Sequence, residues 1–356
     1  MGASGVFVVL YDEETLALYI REGIYGFLMR PVPDVVGKQS RHYQALADYA
    51  CVRGGTHVFF FWKRKIYYGG QVVGAAEYAA VLLNGLTSPL GREAKAPLCW
   101  DESPRYIASD IRGVFRRRDD EDSKSQPYLM RFKDSLGHHG RYISSDQLYF
   151  ELGKYGYPLP SNAIQGMSFC TLTPGEVKIL LALFEKDARE YTPARISRPA
   201  VLSVEPVAFQ PSLGIQDLAQ AFRNSEFVNE AHLEFSVLAN PLLLPAAIRP
   251  HAGDVICRQI PISPFKPTNM DRVDISYFST DEICDGTVPN VIIELKDERA
   301  GQPAVKQIVR YLDWLYLVIG AEAASNIQAF LFAPSFAPRI SVPKYADQIQ
   351  LIEPEG

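Results

Sequence analysis

Two stretches decide how this chain is read: Met270-Asp271-Arg272-Val273-Asp274-Ile275-Ser276-Tyr277 and Val288-Pro289-Asn290-Val291-Ile292-Ile293-Glu294-Leu295-Lys296. Both are rich in β-branched and apolar residues and read as strands. Strand alternation puts Arg272, Asp274 and Ser276 on one side of the first, with Val273, Ile275 and Tyr277 on the other. In the second, Val291, Ile293 and Leu295 face one way, and Ile292, Glu294 and Lys296 face the other. A carboxylate and an ammonium two residues apart, at the end of a strongly apolar strand, are thereby aimed into one place. Asp274 and Glu294 would be expensive in such a sheet without a partner.

Helical patterns flank these strands. Upstream, Glu226, Glu230 and Glu234 recur every four residues and share one helical face. Ser225 is expected to cap that helix, and Asn240-Pro241 to end it. Downstream, Pro303 opens a helix. Gln307 and Tyr311 lie one turn apart on it, and Ile308, Leu312 and Leu315 form its core stripe. Several carboxylates brought together repel one another, so the cluster calls for a cation. Hard carboxylate oxygens suit Mg²⁺.

This order is Glu on a helix, Asp on a strand, Glu-x-Lys on the next strand, then Gln-x-x-x-Tyr on a helix. It resembles the PD-(D/E)XK nuclease superfamily, and within it the NucS/EndoMS-type endonucleases. The matching text is Glu230-Ala-His-Leu-Glu234, Ala239-Asn240-Pro241, Arg272-Val273-Asp274-Ile275, Ile293-Glu294-Leu295-Lys296, and Ala304-Val305-Lys306-Gln307 with Arg310-Tyr311. Asp271 departs from the glycine usual in the NucS-type motif. Another Glu-x-Lys, Glu176-Val177-Lys178, is a decoy, because Pro174-Gly175 before it opens a helix. The resemblance implies that Asp274 and Glu294 bind Mg²⁺, with Mn²⁺ as a substitute. Glu230 would add a ligand, direct or through water, and Leu295 its backbone carbonyl. Lys296 would orient or activate the attacking water and offset developing charge. Gln307 and Tyr311 would position Lys296 or the phosphate. Double-stranded DNA, modified or not, is the implied partner. Cutting both strands would need two sites, hence an expected homodimer.

The first half reads differently. Val6–Leu10 is a short strand, and Glu13–Phe27 and Ser40–Val52 look helical. Gly54–Gly74 reads as two aromatic strands joined by a tight turn at Lys63–Lys65. Tyr142–Phe150 and Gly166–Thr173 add strand-like pieces. Many short strands with a few helices suggest a small curved sheet or barrel. Thr56–Gly70 resembles the central strand pair of PUA-like barrels, the superfamily of EVE, YTH and ASCH domains, many of which recognise modified or flipped bases. His57, Phe59, Phe61 and Lys63 would face one side, and Val58, Phe60 and Trp62 the other, with at least one face in the core. Trp62, beside the basic turn Lys63-Arg64-Lys65, and Trp100 are the aromatics best placed to stack on a base.

Composition bounds these readings. The 356 residues are 47% hydrophobic and 22% charged, as in a folded, soluble protein. The net charge of −5 is uneven: residues 1–200 hold 25 Lys+Arg against 22 Asp+Glu, and residues 201–356 hold 11 against 19. An acidic half would approach a polyanion only if its carboxylates hold divalent cations. The five cysteines form no Cys-x-x-Cys pair, which disfavours a disulfide framework or a cysteine zinc site and fits a cytoplasmic setting. No apolar run is long enough to span a bilayer, and no signal peptide is visible. The six histidines show no metal-ligand pattern and read as structural or solvated.

The expected architecture is therefore α+β with two domains. Residues 1–190 form a PUA/EVE-like β-barrel with helices that reads DNA. Residues 191–212 form a proline-rich linker. Residues 213–356 form an α/β restriction-endonuclease-like, PD-(D/E)XK domain. The expected activity is a Mg²⁺-dependent endodeoxyribonuclease in modification-dependent restriction or phage defence. A DNA-repair endonuclease, mismatch- or structure-specific, is the alternative within the class. A non-cutting nucleic-acid reader with a degenerate nuclease fold is the alternative outside it.

Overall fold

The computed structural model describes residues 2–26, 40–74, 82–83, 128–153, 169–192, 207–208, 218–224, 227, 229–262, 271–279 and 288–355. Their fold is mixed α+β with two sheets. The first half runs β1 (Gly5–Val9), α1 (Glu13–Glu22), β2 (Ile24–Gly26), α2 (Ser40–Ala50), β3 (His57–Trp62), β4 (Lys65–Val72), β5 (Leu82–Leu83), β6 (Tyr128–Lys133), β7 (Arg141–Ser144), α3 (Ser145–Gly153), β8 (Phe169–Leu172), α4 (Pro174–Asp187), β9 (Arg189–Glu190) and β10 (Val207–Ala208). These strands pair in the order β10-β5-β6-β4-β3-β1-β8, with β2 on β6, and β7 between β4 and β9. β4 changes neighbour along its length, from β7 at Lys65–Tyr67 to β6 at Gln71–Val72. Gly70, at φ 144°, sits where β4 slips register against β3. Such a bulge sharpens strand twist and curls the sheet into a half-barrel.

The aromatic hairpin is formed by β3 and β4. Lys63 and Arg64 both take positive φ, 46° and 61°, as a two-residue turn matched to the right-handed strand twist requires. The alternation expected from sequence holds. Val58 and Phe60 enter one apolar cluster, against which Trp62 packs, and Phe59 enters another, against which Phe61 packs. Both faces of the strand are thus covered, and Phe59 and Phe60 are fully buried.

The second half runs α5 (Leu218–Arg223), α6 (Glu230–Ala239), β11 (Val255–Pro261), β12 (Arg272–Phe278), β13 (Val291–Leu295), α7 (Gln302–Ile319), α8 (Ala321–Ala324), β14 (Gln328–Phe332) and β15 (Ile349–Ile352). These strands pair in sequence order. β11, β12 and β13 are antiparallel, and β13, β14 and β15 are parallel. The long helix α7 supplies the crossover that parallel β13 and β14 need. Its buried stripe, Val305, Ile308, Leu312 and Leu315, meets Ile292, Ala329 and Leu331 on one sheet face. Leu233 and Val237 of α6 share the other apolar cluster with Ile275, Tyr277, Ile293, Leu295 and Phe330. That cluster continues into Val6, Val8, Tyr43 and Phe60, and α2 packs along α6. No helix among the described residues is long and apolar enough to cross a membrane.

Several expected elements differ. The helix expected over Glu13–Phe27 stops at Glu22, because Gly23 turns left-handed (φ 62°) and Ile24–Gly26 pairs with β6. Tyr142–Phe150 is a strand only to Ser144, and Ser145 then opens α3. The glutamate helix begins at Glu230 with Asn229 as its cap, since Asn229 Oδ1 accepts the His232 N–H at 3.0 Å. Ser225, Glu226, Trp100 and nearly all of the proline-rich linker (193–206 and 209–212) lie outside the described residues. The Glu176-Val177-Lys178 decoy does open a helix: Glu176 closes a capping box with Thr173.

Gly23 offers a test of how the first sheet is entered. A Cβ at this position would lie 2.6 Å from the Phe132 carbonyl oxygen, at a φ that L-residues avoid. Gly23→Ala is expected to lose about 1–3 kcal/mol in urea unfolding, with the native circular dichroism spectrum unchanged. Stability equal to the parent would show that the β2–β6 junction relaxes freely.

Candidate metal centre

Two strands and one helix carry three acids into one open cleft of about 370 Å³. Glu230 is the first residue of α6, where the positive end of the helix dipole favours a carboxylate. Asp274 lies on β12 just beyond the last registered pair with β13, Ile275 opposite Ile293. There its Oδ2 accepts the Leu295 N–H at 2.8 Å. Glu294 is the penultimate residue of β13 and is almost wholly buried. One carboxylate oxygen from each of Glu230, Asp274 and Glu294 lies within 4.8 Å of the others.

Lys296 enters this group from the end of β13. Its Nζ donates to Glu230 Oε2 at 2.7 Å and to Glu294 Oε1 at 2.8 Å. From α7, Tyr311 places its hydroxyl 3.0 Å from Glu294 Oε2 and 2.7 Å from the Arg272 carbonyl oxygen, and accepts from Gln307 Nε2 at 2.6 Å. A phenol has one proton to donate, so Tyr311 serves one of its two acceptors at a time. Gln307 and Tyr311 therefore bear on Glu294 and the backbone of β12; their recorded bonds do not reach Lys296. Asp271 lines the cleft and meets Arg310 at 3.4 Å, apart from the three clustered acids.

Burial sets the protonation of the site. It pushes Glu294 up to about 7, against the lowering pull of Lys296. Burial, reinforced by Glu294 and Glu230, raises Asp274 well above the usual carboxylate range. Glu230 is raised too, again chiefly by burial and against Lys296. Burial pulls Lys296 down, but Glu294, Asp274 and Glu230 overcome it and hold the ammonium above the ordinary lysine value. Lys296 therefore stays charged while the acids around it resist full ionisation. Three hard-oxygen donors short of positive charge fit a divalent cation of the Mg²⁺ class.

The fourth acid, Glu234, has its own partner. It is buried and clamped by Arg258, with bonds of 2.9 and 2.8 Å from Nε and the second guanidinium nitrogen. Arg258 also pairs with Asp48 of α2. Gln259, beside it, reaches both Glu234 and Asp274. Asp48, Arg258 and Gln259 escaped the sequence reading. A charged residue inside the apolar run Val255-Ile-Cys-Arg-Gln-Ile-Pro was a signal that a buried partner existed, but nothing in the sequence named Asp48.

Of the expected DNA-contacting residues, Trp62, Lys63, Arg64 and Lys65 sit at the hairpin tip, and Trp100 lies outside the described residues. Trp62 is partly buried, with Lys63 Nζ 4.5 Å from its ring centroid. Arg64 pairs with Asp146 at 2.8 Å, and Lys65 lies over the Tyr142 ring. Of the histidines, His57 bonds Tyr68, and His232 is buried against Tyr43. Cys51, Cys170 and Cys257 are buried free thiols.

The raised carboxyls give a pH test. An acid whose native pKa lies above its unfolded value favours the folded state at low pH and loses that contribution as pH rises through the native value. With EDTA present, urea unfolding should therefore show the protein weakening between pH 5 and 8. Asp48, raised by burial to about 6, and Glu176, raised by burial to about 8, act in the same direction. Glu294→Gln isolates the site: its decline should be shallower than the parent's. Added Mg²⁺ should stabilise the parent more at pH 8 than at pH 6. Parallel declines in parent and variant would remove Glu294 from this account.

No family model and no curated protein matches the sequence. Solved structures similar to part of it include two endonuclease structures. One is a repair endonuclease from Pyrococcus abyssi, 26% identical over 33% of this chain and 44% of that one, with a TM-score of 0.22. The other is an EndoMS–dsDNA complex, 21% identical over 36% of this chain and 46% of that one, with a TM-score of 0.23. The chain thus spans less than half the length of either structure.

Proposed function

We propose that this protein is a divalent-metal-dependent endonuclease that hydrolyses phosphodiester bonds in double-stranded DNA. The observation that carries the reading is the convergence of Glu230, Asp274 and Glu294 within 4.8 Å, with Lys296 bridging two of them. The order of these residues along the chain, and its resemblance to the PD-(D/E)XK nucleases, supports a nucleic-acid phosphodiester as the substrate. In this reading residues 213–356 cut and residues 1–190, the PUA-like half, select the target across the linker at 191–212. A homodimer brings a second site to the opposite strand.

Asp274 and Glu294 would hold Mg²⁺, or Mn²⁺ in its place, with Glu230 and the Leu295 carbonyl as further ligands. Such a cation would supply charge neutralisation at the phosphate and help activate water for attack. Lys296, kept protonated by its acidic neighbours, donates hydrogen bonds to the water or a phosphate oxygen and offsets negative charge as it develops there. Its raised pKa fits this electrostatic role better than that of a proton acceptor. Tyr311, supported by Gln307, keeps the Glu294 carboxylate from turning away. Water's oxygen attacks phosphorus and gives up a proton to solvent, the bond to the departing sugar oxygen breaks, and that oxygen takes up a proton from solvent.

Repair of mismatched or structurally altered duplex is the target class we adopt over modification-dependent restriction or defence. A modified-base reader needs an open aromatic face. Within the aromatic hairpin, Phe59 and Phe60 are buried and Trp62 packs against the core under Lys63, so the hairpin offers none; the exposed Tyr11 and Phe150 lie outside it. Trp62, Lys63, Arg64 and Lys65 then serve as a basic contact for the DNA backbone, and Trp100 remains a further aromatic for it.

A nicking assay tests the reading. Supercoiled plasmid and short duplexes, either plain, mismatched or carrying modified cytosine or adenine, are incubated with Mg²⁺ or EDTA. Cleavage should need the metal and favour mismatched duplex, and Asp274→Ala and Lys296→Ala should each lower the rate by about 100-fold or more. Equal cutting by Asp274→Ala and the parent would end the catalytic assignment. Preference for modified duplex would restore the restriction reading. DNA binding that survives EDTA, with no duplex cut, would identify a non-cutting reader.

A further inference from the structure

We propose that Gln259 is a positioning residue that holds Asp274 in the orientation its metal-binding role requires; the inference rests on the reading of the carboxylate cluster as a metal site. Gln259 lies on β11 directly across from Asp274. The strands β11 and β12 keep one register on both sides of this position, with Arg258 opposite Ile275 and Ile260 opposite Val273. Gln259 and Asp274 themselves are not a registered pair. Gln259 instead adopts φ 52°, a left-handed conformation rare for a residue with a side chain. Val273 joins the apolar cluster under α7 while Ile275 joins the one under α6, so strict alternation along β12 breaks at Asp274.

This local departure has a side-chain counterpart. The Gln259 amide nitrogen donates to Asp274 Oδ1 at 3.0 Å and to Glu234 Oε1 at 3.3 Å. An amide carries two N–H groups, so it can serve both acceptors at once. The other Asp274 oxygen accepts the Leu295 N–H. Asp274 is thereby gripped on both oxygens, by a side chain from one flanking strand and by the backbone of the other. Glu234 is itself fixed by Arg258, which gives the amide a rigid anchor. A carboxylate held this way presents its free lone pairs to the cleft without searching rotamers. Groups that orient metal ligands in this manner typically change metal affinity by 10–100-fold when removed.

Two variants separate the amide from the backbone. Gln259→Gly removes the amide and is at ease at positive φ. Gln259→Met keeps the bulk of the side chain without the donor. Circular dichroism and melting in EDTA check that both fold. Mn²⁺ affinity is measured by calorimetry on the full chain, alongside the Mg²⁺ dependence of plasmid nicking. Both variants should bind Mn²⁺ about tenfold more weakly or worse. The Mg²⁺ needed for half-maximal nicking should rise in step, and excess metal should recover much of the rate. If position 259 served only the bend of β11, Gln259→Gly would bind Mn²⁺ as the parent does. That result, with Asp274→Ala abolishing binding, would overturn the positioning role and leave the metal site standing. Unchanged Mn²⁺ binding by Asp274→Ala would overturn both.

Discussion

Three carboxylates and one ammonium share one cleft, and that imbalance governs the structure around it. Burial is the main cause that pushes each of Glu230, Asp274 and Glu294 toward its neutral form, and the neighbouring carboxylates add to it. Lys296 answers part of the deficit by bridging Glu230 and Glu294. Asp274 has no salt-bridge partner among the described contacts. It relies on the Leu295 N–H and the Gln259 amide, which are neutral donors. A site so arranged is stable enough to fold and still short of positive charge, the condition under which a divalent cation binds with gain.

The surrounding polar groups keep this imbalance from spreading. Glu234 lies one helical turn beyond Glu230 and adds to the repulsion on Glu230 and Asp274. Arg258 offsets its charge with a two-nitrogen grip, a geometry that a lysine could not offer. The same guanidinium neutralises Asp48, so one buried cation serves acids from α2 and α6 together. Removing Arg258 would leave two buried carboxylates uncompensated, whereas its exchange together with both acids would be far milder. This closed network contrasts with the triad beside it, whose three acids have one ammonium among them.

The sequence made some of this legible for a plain physical reason: periodicity reports which face a residue takes. The core stripe Ile308, Leu312 and Leu315, the opposite facing of Phe59 and Phe60, and the juxtaposition of Glu294 with Lys296 all follow from periods of 3.6 or 2. Boundaries were harder. Ser225 and Asn229 are both good caps, and only the fold decides between them. Tyr142–Phe150 has strand-like residues throughout, yet the chain turns into α3 at Ser145. Gln259 was invisible because its importance lies in a left-handed φ and a contact across strands, neither of which leaves a compositional mark. Asp48 was invisible because its partner lies 210 positions away.

That distance has a structural meaning. α2 belongs by sequence to the half that carries the aromatic hairpin, yet it packs along α6 and joins its apolar cluster. Gln44 of α2 lines the same cleft as the three acids, and Asp48, one turn further on, binds the arginine that fixes Glu234. Arg53, just after α2, donates to the Leu238 carbonyl of α6. The helix that bears Glu230 is thus held from behind by the first half of the chain. A shift of α2 by even a fraction of a turn would break the Asp48–Arg258 pair before it disturbed any cleft acid directly. Glu234 would loosen next, and with it the anchor of the Gln259 amide. The position of Asp274 therefore depends, through four successive contacts, on how the first half is seated against the second.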